Sequence, residues 1–162
     1  MTRVLLLALI GAIVLPFPAR AQGKADFSGT WTLDTAKSDP APQGRGGGGG
    51  GGAATLTIKQ TGTELSIMSE GRQGPQTLTY KLDGSESTNQ MMGRGGATAA
   101  KSTAKWDGAS LVIETTRDFN GTPIITKEVR RLDNGGKDMI VETTAQTPNG
   151  EQKRKTVYTK SM

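Results

Sequence analysis

"FSGTWTLD", residues 27–34, places Phe27, Gly29, Trp31 and Leu33 on one side of an extended chain and Ser28, Thr30 and Thr32 on the other. Successive side chains of a strand point to opposite faces, so apolar residues at every second position mark a strand with one buried face. The same period continues down the chain. "TLTIKQT" (55–61) alternates Leu56 and Ile58 with polar residues, and "ELSIMSE" (64–70) does so with Leu65 and Ile67. "TLTYKL" (77–82) offers Leu78, Tyr80 and Leu82, and "SLVIETT" (110–116) offers Leu111 and Ile113. In "ITKEVRRL" (125–132) the apolar candidates are Ile125 and Val129, with less regularity. No stretch of a dozen residues shows a helical stripe, and the abundant threonine suits a pleated, half-buried surface.

Turn signals separate these runs at short intervals. They include Thr61-Gly62, Asp83-Gly84, Asp107-Gly108, Asn120-Gly121, Asn134-Gly135 and Asn149-Gly150. Asx-Gly pairs between alternating runs are strong hairpin cues, because type I′ turns need positive φ at both central residues. The spacing predicts an all-β fold, an antiparallel up-and-down meander of eight to ten strands. Closure into a small barrel would remove the exposed edges that otherwise invite aggregation.

The first residues point to export. Arg3 precedes an apolar run from Val4 to Leu15, followed by Pro16, Pro18 and Ala19-Arg20-Ala21. That is the charged, apolar and small-x-small layout of a signal peptide, and the run is shorter than the roughly 20 residues a membrane anchor needs. Residues 1–21 are therefore expected to be removed after Ala21, leaving 22–162 as one domain in the periplasm or secreted medium. Without Arg3 and Arg20 the formal charge falls from +5 to +3. The remaining basic residues are interleaved with acids, so no nucleic-acid partner is expected. The one basic cluster, "KRKTVYTK" (153–160), alternates in the manner of a strand's wet face. The chain has no cysteine, so packing alone must hold it.

The connection 35–53 contains "GRGGGGGGG" (44–52). A phosphate loop needs glycines at set positions, a helix start and usually a lysine with Ser or Thr, none of which follows here. "GRGG" occurs at 44–47 and 93–96, too sparse for an RNA-binding tract. The run reads as a long polar loop that costs little entropy to lengthen.

Gly29-Thr30-Trp31, at the head of the meander, resembles the opening strand of the lipocalins and the wider calycin group. "DFSGTWTLDTAKSD" (26–39) with "KWDGASLVIET" (105–115) also resembles an uncharacterised group of secreted bacterial proteins with lipocalin-like sequences. The resemblance implies a lipocalin-like barrel in which the tryptophan closes the narrow end under a basic side chain from near the last strand. Trp31 with Arg154 or Lys155 would be that pair, held by cation–π attraction. Gly29, Trp31 and Arg154 are thus the expected structural residues.

Chemistry is narrowed by what is missing. With neither histidine nor cysteine, the chain cannot build a Ser-His-Asp triad, a thiol nucleophile or the usual zinc and haem sites. Glu114 and Glu142 are a conceivable carboxylate pair but read as solvated strand residues, and Asp133 and Asp138 read as turn formers. "NGT" (120–122) matches a glycosylation acceptor but reads first as a hairpin turn. The expectation is a non-enzymatic monomer, without cofactor, metal or stable membrane insertion. It would hold a small, partly apolar ligand against Ile58, Ile67, Tyr80, Ile113 and Val141. The mouth would lie at the end carrying the 35–53 connection. The alternative is a structural or interaction domain of the cell envelope with a filled core.

Overall fold

The computed structural model describes residues 23–40, 53–71, 74–93, 96–119, 121–148 and 150–161. The expected signal peptide, the glycine run, and Asn120 and Asn149 lie outside these residues. Ten strands form one antiparallel sheet: β1 (Gly29–Leu33), β2 (Thr55–Gln60), β3 (Glu64–Gly71), β4 (Gly74–Lys81), β5 (Ser87–Gly93), β6 (Gly96–Asp107), β7 (Ser110–Phe119), β8 (Thr122–Asp133), β9 (Asp138–Thr147) and β10 (Gly150–Lys160). A short 3-10 turn, Asn134–Gly136, joins β8 to β9. Here Asn134 (φ 50°) and Gly135 (φ 64°) both take positive φ, as the Asn-Gly signal requires.

The spatial order is β4-β3-β2-β1-β10-β9-β8-β7-β6-β5. The meander therefore curls until its first and last strands pair, with Trp31 opposite Lys160 and Leu33 opposite Tyr158. That pairing nearly closes a barrel and leaves one seam, between the consecutive strands β4 and β5. Side chains bridge it in place of a backbone ladder. The Asn89 amide accepts from Thr79 N–H at 2.8 Å and donates to Thr79 C=O at 3.0 Å, as a partner peptide would. Ser87 Oγ accepts from Lys81 N–H at 2.9 Å, and Gln76 Nε2 donates to Gln90 C=O at 2.8 Å.

Alternation fills the interior in two unlike halves. At the end carrying the β2–β3, β4–β5, β6–β7 and β8–β9 connections, Phe27, Trp31, Leu65, Leu82, Leu111 and Met139 pack into one buried cluster. Phe27 stacks on Trp106 with ring centroids 6.0 Å apart, and the Trp31 indole N–H donates to Phe27 C=O at 2.8 Å. This end is plugged. The basic partner of Trp31 is not Arg154 or Lys155, as expected, but Lys160, whose Nζ lies 5.3 Å from the ring centroid. The register decides it: Lys160 pairs with Trp31 in the β1–β10 ladder, whereas Arg154 pairs with Thr143 on β9, six residues further along the strand. Gly29 makes room for the lysine stem. A Cβ there would sit 2.8 Å from Lys160 Cε, and the backbone φ of 131° disfavours any side chain.

A second correction concerns β8. Ile125 is 48% exposed, while Ile124, Glu128 and Arg130 turn inward. The inner set is the one that counts back by twos from Leu132, which packs on the core and pairs with Met139. A one-residue shift exchanges the two faces of a strand.

Candidate binding site

Ile58, Ile67, Tyr80, Ile113 and Val141, the expected lining, all face inward in the one buried cluster. They form the middle layer of the barrel. Above them, toward the end carrying the β1–β2, β3–β4, β5–β6, β7–β8 and β9–β10 connections, the inner face becomes polar. Ser69, Gln76, Thr115, Thr126, Thr143 and Arg154 stand there half-buried, so solvent reaches this half.

Charge is set into the floor of that polar half. Across neighbouring strands, Ile113, Glu128, Thr143 and Arg154 form one rung of the ladder. Leu111, Arg130, Val141 and Thr156 form the next rung inward. Arg130 is 7% exposed and donates through Nη2 to Glu128 Oε2 at 2.6 Å. Its Nε and Nη1, and the Nε of Arg154, are buried with no hydrogen-bond partner among the described residues. Two guanidiniums and one carboxylate therefore share these two rungs. Burial pushes the Tyr80 hydroxyl up from its ordinary pKa, with Glu128 adding to the rise and Arg130 opposing it. Burial likewise raises Tyr158, partly offset by Arg130 and Arg154. Both phenols stay neutral donors at physiological pH. Burial pulls the Arg130 guanidinium down, but the fields of Glu128 and Tyr80 and the hydrogen bond to Glu128 outweigh it and the net shift is upward. The site thus stays cationic and rich in donors.

Orphaned buried donors are uncommon, and an unpaired buried charge is unfavourable. Here they stand together where the apolar middle layer gives way to the half-buried polar residues above it.

Other sequence candidates lie elsewhere. Glu114 and Glu142 are on the exposed outer face, where Glu142 pairs with Arg131 at 3.0 Å. Asp133 caps the 3-10 turn. Asp138 accepts from Lys37 Nζ at 3.1 and 3.2 Å, tying residues 34–39 to the start of β9. The described residues hold no group of three or more His, Cys, Asp or Glu placed to bind a metal, and no helix long and apolar enough to cross a membrane. There are two open concavities. One of about 320 Å³ sits at the plugged end beside Lys24, Gln60 and Trp106, and one of about 370 Å³ is lined by Asp39, Glu142, Thr143, Lys153, Arg154 and Lys155, so it reaches two residues of the polar half.

Several solved structures share this architecture. A zebrafish ileal bile-acid-binding protein complexed with cholic acid matches with a TM-score of 0.55 at 16% identity, over 83% of this chain and 98% of that one. Human cRBP IV matches with a TM-score of 0.53 at 18% identity, over 85% and 99%. Fatty-acid-binding protein 1 of Echinococcus granulosus matches with 0.55 at 14%, over 84% and 98%. The chain shares the β-barrel fold of these small binding proteins. At these identities the likeness extends to the fold and no further. No protein-family model matches the chain, and no curated protein sequence matches it significantly.

The sequence reading did not find Arg130, Glu128 or Lys160. The clue to Arg130 and Glu128 was the two-residue count from Leu132. It was hidden because Ile125 and Val129, β-branched and apolar, competed for the same face.

Proposed function

We propose that the protein is an extracytoplasmic, non-catalytic carrier of a small molecule with a partly apolar body and one acidic group. The observation that carries this reading is the pair of interior guanidiniums, Arg130 and Arg154, with three donor nitrogens unpartnered beneath a half-buried, threonine-lined upper half. A carboxylate, sulfonate or phosphate ester would accept those donors in charge-assisted bonds, roughly twice as strong as neutral ones. Its apolar portion would lie along Ile67, Ile113 and Val141, in a pocket that is mostly apolar with a few placed polar groups. Cholic acid, found with the zebrafish neighbour, and the fatty acids that name the Echinococcus neighbour belong to this chemical class. The signal-like N-terminus supports an extracytoplasmic setting, and the missing histidine and cysteine support binding without turnover.

The test is a matched titration of the mature protein with 8-anilinonaphthalene-1-sulfonate and with N-phenyl-1-naphthylamine, the same aromatic body without the charge. The sulfonate should bind at least tenfold more tightly, and Arg130→Met should abolish the difference. Equal binding of the two probes would overturn the acidic-group assignment. Binding of neither would favour the envelope interaction domain, a reading supported by the tight packing around Phe27, Trp31 and Leu65.

A further inference from the structure

Glu128 is the one carboxylate on the described inner face of the barrel, and it is spent on Arg130. It lies two residues from Arg130 on β8 and shares a rung with Arg154 through Thr143. Its carboxylate holds one arm of the Arg130 guanidinium and leaves the other two nitrogens free. The nearest other inward cation, Arg117, stands four residues further along β7 from the level of Glu128, about 13 Å toward the mouth. The floor of the site therefore carries two positive charges and one negative, with Tyr80 and Tyr158 neutral beside them.

We propose that Glu128 sets the charge of the ligand. By neutralising one guanidinium from within, it leaves the floor complementary to a single negative charge, so the site takes monoanions and rejects dianions. This rests on the acidic-group reading above and adds a specificity-determining residue to it. A monoanion completes a neutral, fully donated cluster. A dianion would leave one negative charge uncompensated beside a carboxylate that already repels it. The Glu128 side chain is 29% exposed, so solvent and a solute can reach it.

The probes are decyl sulfate, a monoanion throughout, and decyl phosphate, whose second ionisation near about pH 6 makes it mostly dianionic at pH 8. Calorimetry at pH 8 should show wild-type protein binding the sulfate at least tenfold more tightly than the phosphate. Glu128→Gln should reverse that order, and Glu128→Asp should keep it. Should Glu128→Gln fail to fold, the wild type carries the test alone. Lowering the pH from 8 to 5.5 should tighten decyl phosphate about tenfold and leave decyl sulfate unchanged. If both ligands bind but the Gln variant keeps the wild-type ratio, or the wild-type pH profile is flat for the phosphate, Glu128 does not set ligand charge. If neither binds, the acidic-group reading itself fails.

Discussion

The interior guanidinium should lower stability in the unliganded protein, and removing it together with its counter-ion measures by how much. In the double variant Glu128→Gln with Arg130→Met, the side chain between Leu111 and Val141 becomes apolar and of similar length. Replacing a buried ion pair by a well-packed apolar group is often neutral or stabilising by about 1–4 kcal/mol. The native pair sits at the unfavourable end of that range, because Arg130 satisfies only Nη2 and leaves Nε and Nη1 bare. Each buried unsatisfied donor costs about 1–3 kcal/mol, and one replacement removes both. Part of that is returned as lost attraction to Glu128, so the expected net gain is about 2 kcal/mol. In a domain of this size that is a rise in Tm of roughly 5–10 °C. Urea denaturation should show a higher midpoint with unchanged slope. Saturating 8-anilinonaphthalene-1-sulfonate, at 100 times its Kd, should raise wild-type stability by about 2.7 kcal/mol and leave the variant unmoved. A double variant less stable than wild type by more than about 1 kcal/mol would show that the guanidinium is part of the fold's support. The inference from its orphaned donors would then be wrong.

Three further expectations follow from particular contacts. Trp31→Ala should cost about 3–5 kcal/mol in urea denaturation because the ring is fully buried, whereas Trp106→Ala, half-buried and stacked on Phe27, should cost about 1–2. Equal losses would contradict the assignment of the plugged end to Trp31. Asn89→Ala should strip both partners from the Thr79 peptide, lower stability by about 1–3 kcal/mol and speed hydrogen exchange of the Thr79 amide selectively. Uniform exchange rates would mean the seam closes without it. The Lys37 ammonium, helped by Asn134 and Thr159, holds the Asp138 carboxylate below its ordinary pKa. A depressed folded-state pKa contributes stability that is complete above the ordinary value of about 3.9 and is lost as pH falls through the lower folded value. Urea midpoints from pH 6 to 2 should therefore drop on the acid side in the wild type and drop less in Asp138→Asn.

Short-range information was enough for much of the barrel. The period of two in 27–34, 55–61, 64–70, 77–82 and 110–116 named the strands and the correct inner residues of each. There apolar and polar residues alternate without conflict, and one face is plainly the better one to bury. Asn134-Gly135 announced its own turn because only a few residue types accept positive φ. The lipocalin resemblance carried by Gly29-Thr30-Trp31 implied that a cation would cover the tryptophan. Which cation was a matter of register between β1 and β10, strands more than a hundred residues apart, and the ladder brought Lys160 to it and left Arg154 in the opposite half. The same holds for the candidate site. The local cues conflict between Arg130 and Arg131: a count by twos from Leu132 turns Arg130 and Glu128 inward, and one from Ile125 and Val129 turns Arg131 inward. The pairings of β8 with β7 and β9 send Arg130 and Glu128 inward and leave Arg131 and Glu142 to meet on the outer face. A side chain's face is settled by where its strand sits relative to its neighbours. That choice minimises the free energy of the whole core, so an isolated apolar residue such as Ile125 can be turned to solvent while an arginine is carried into the middle of the barrel.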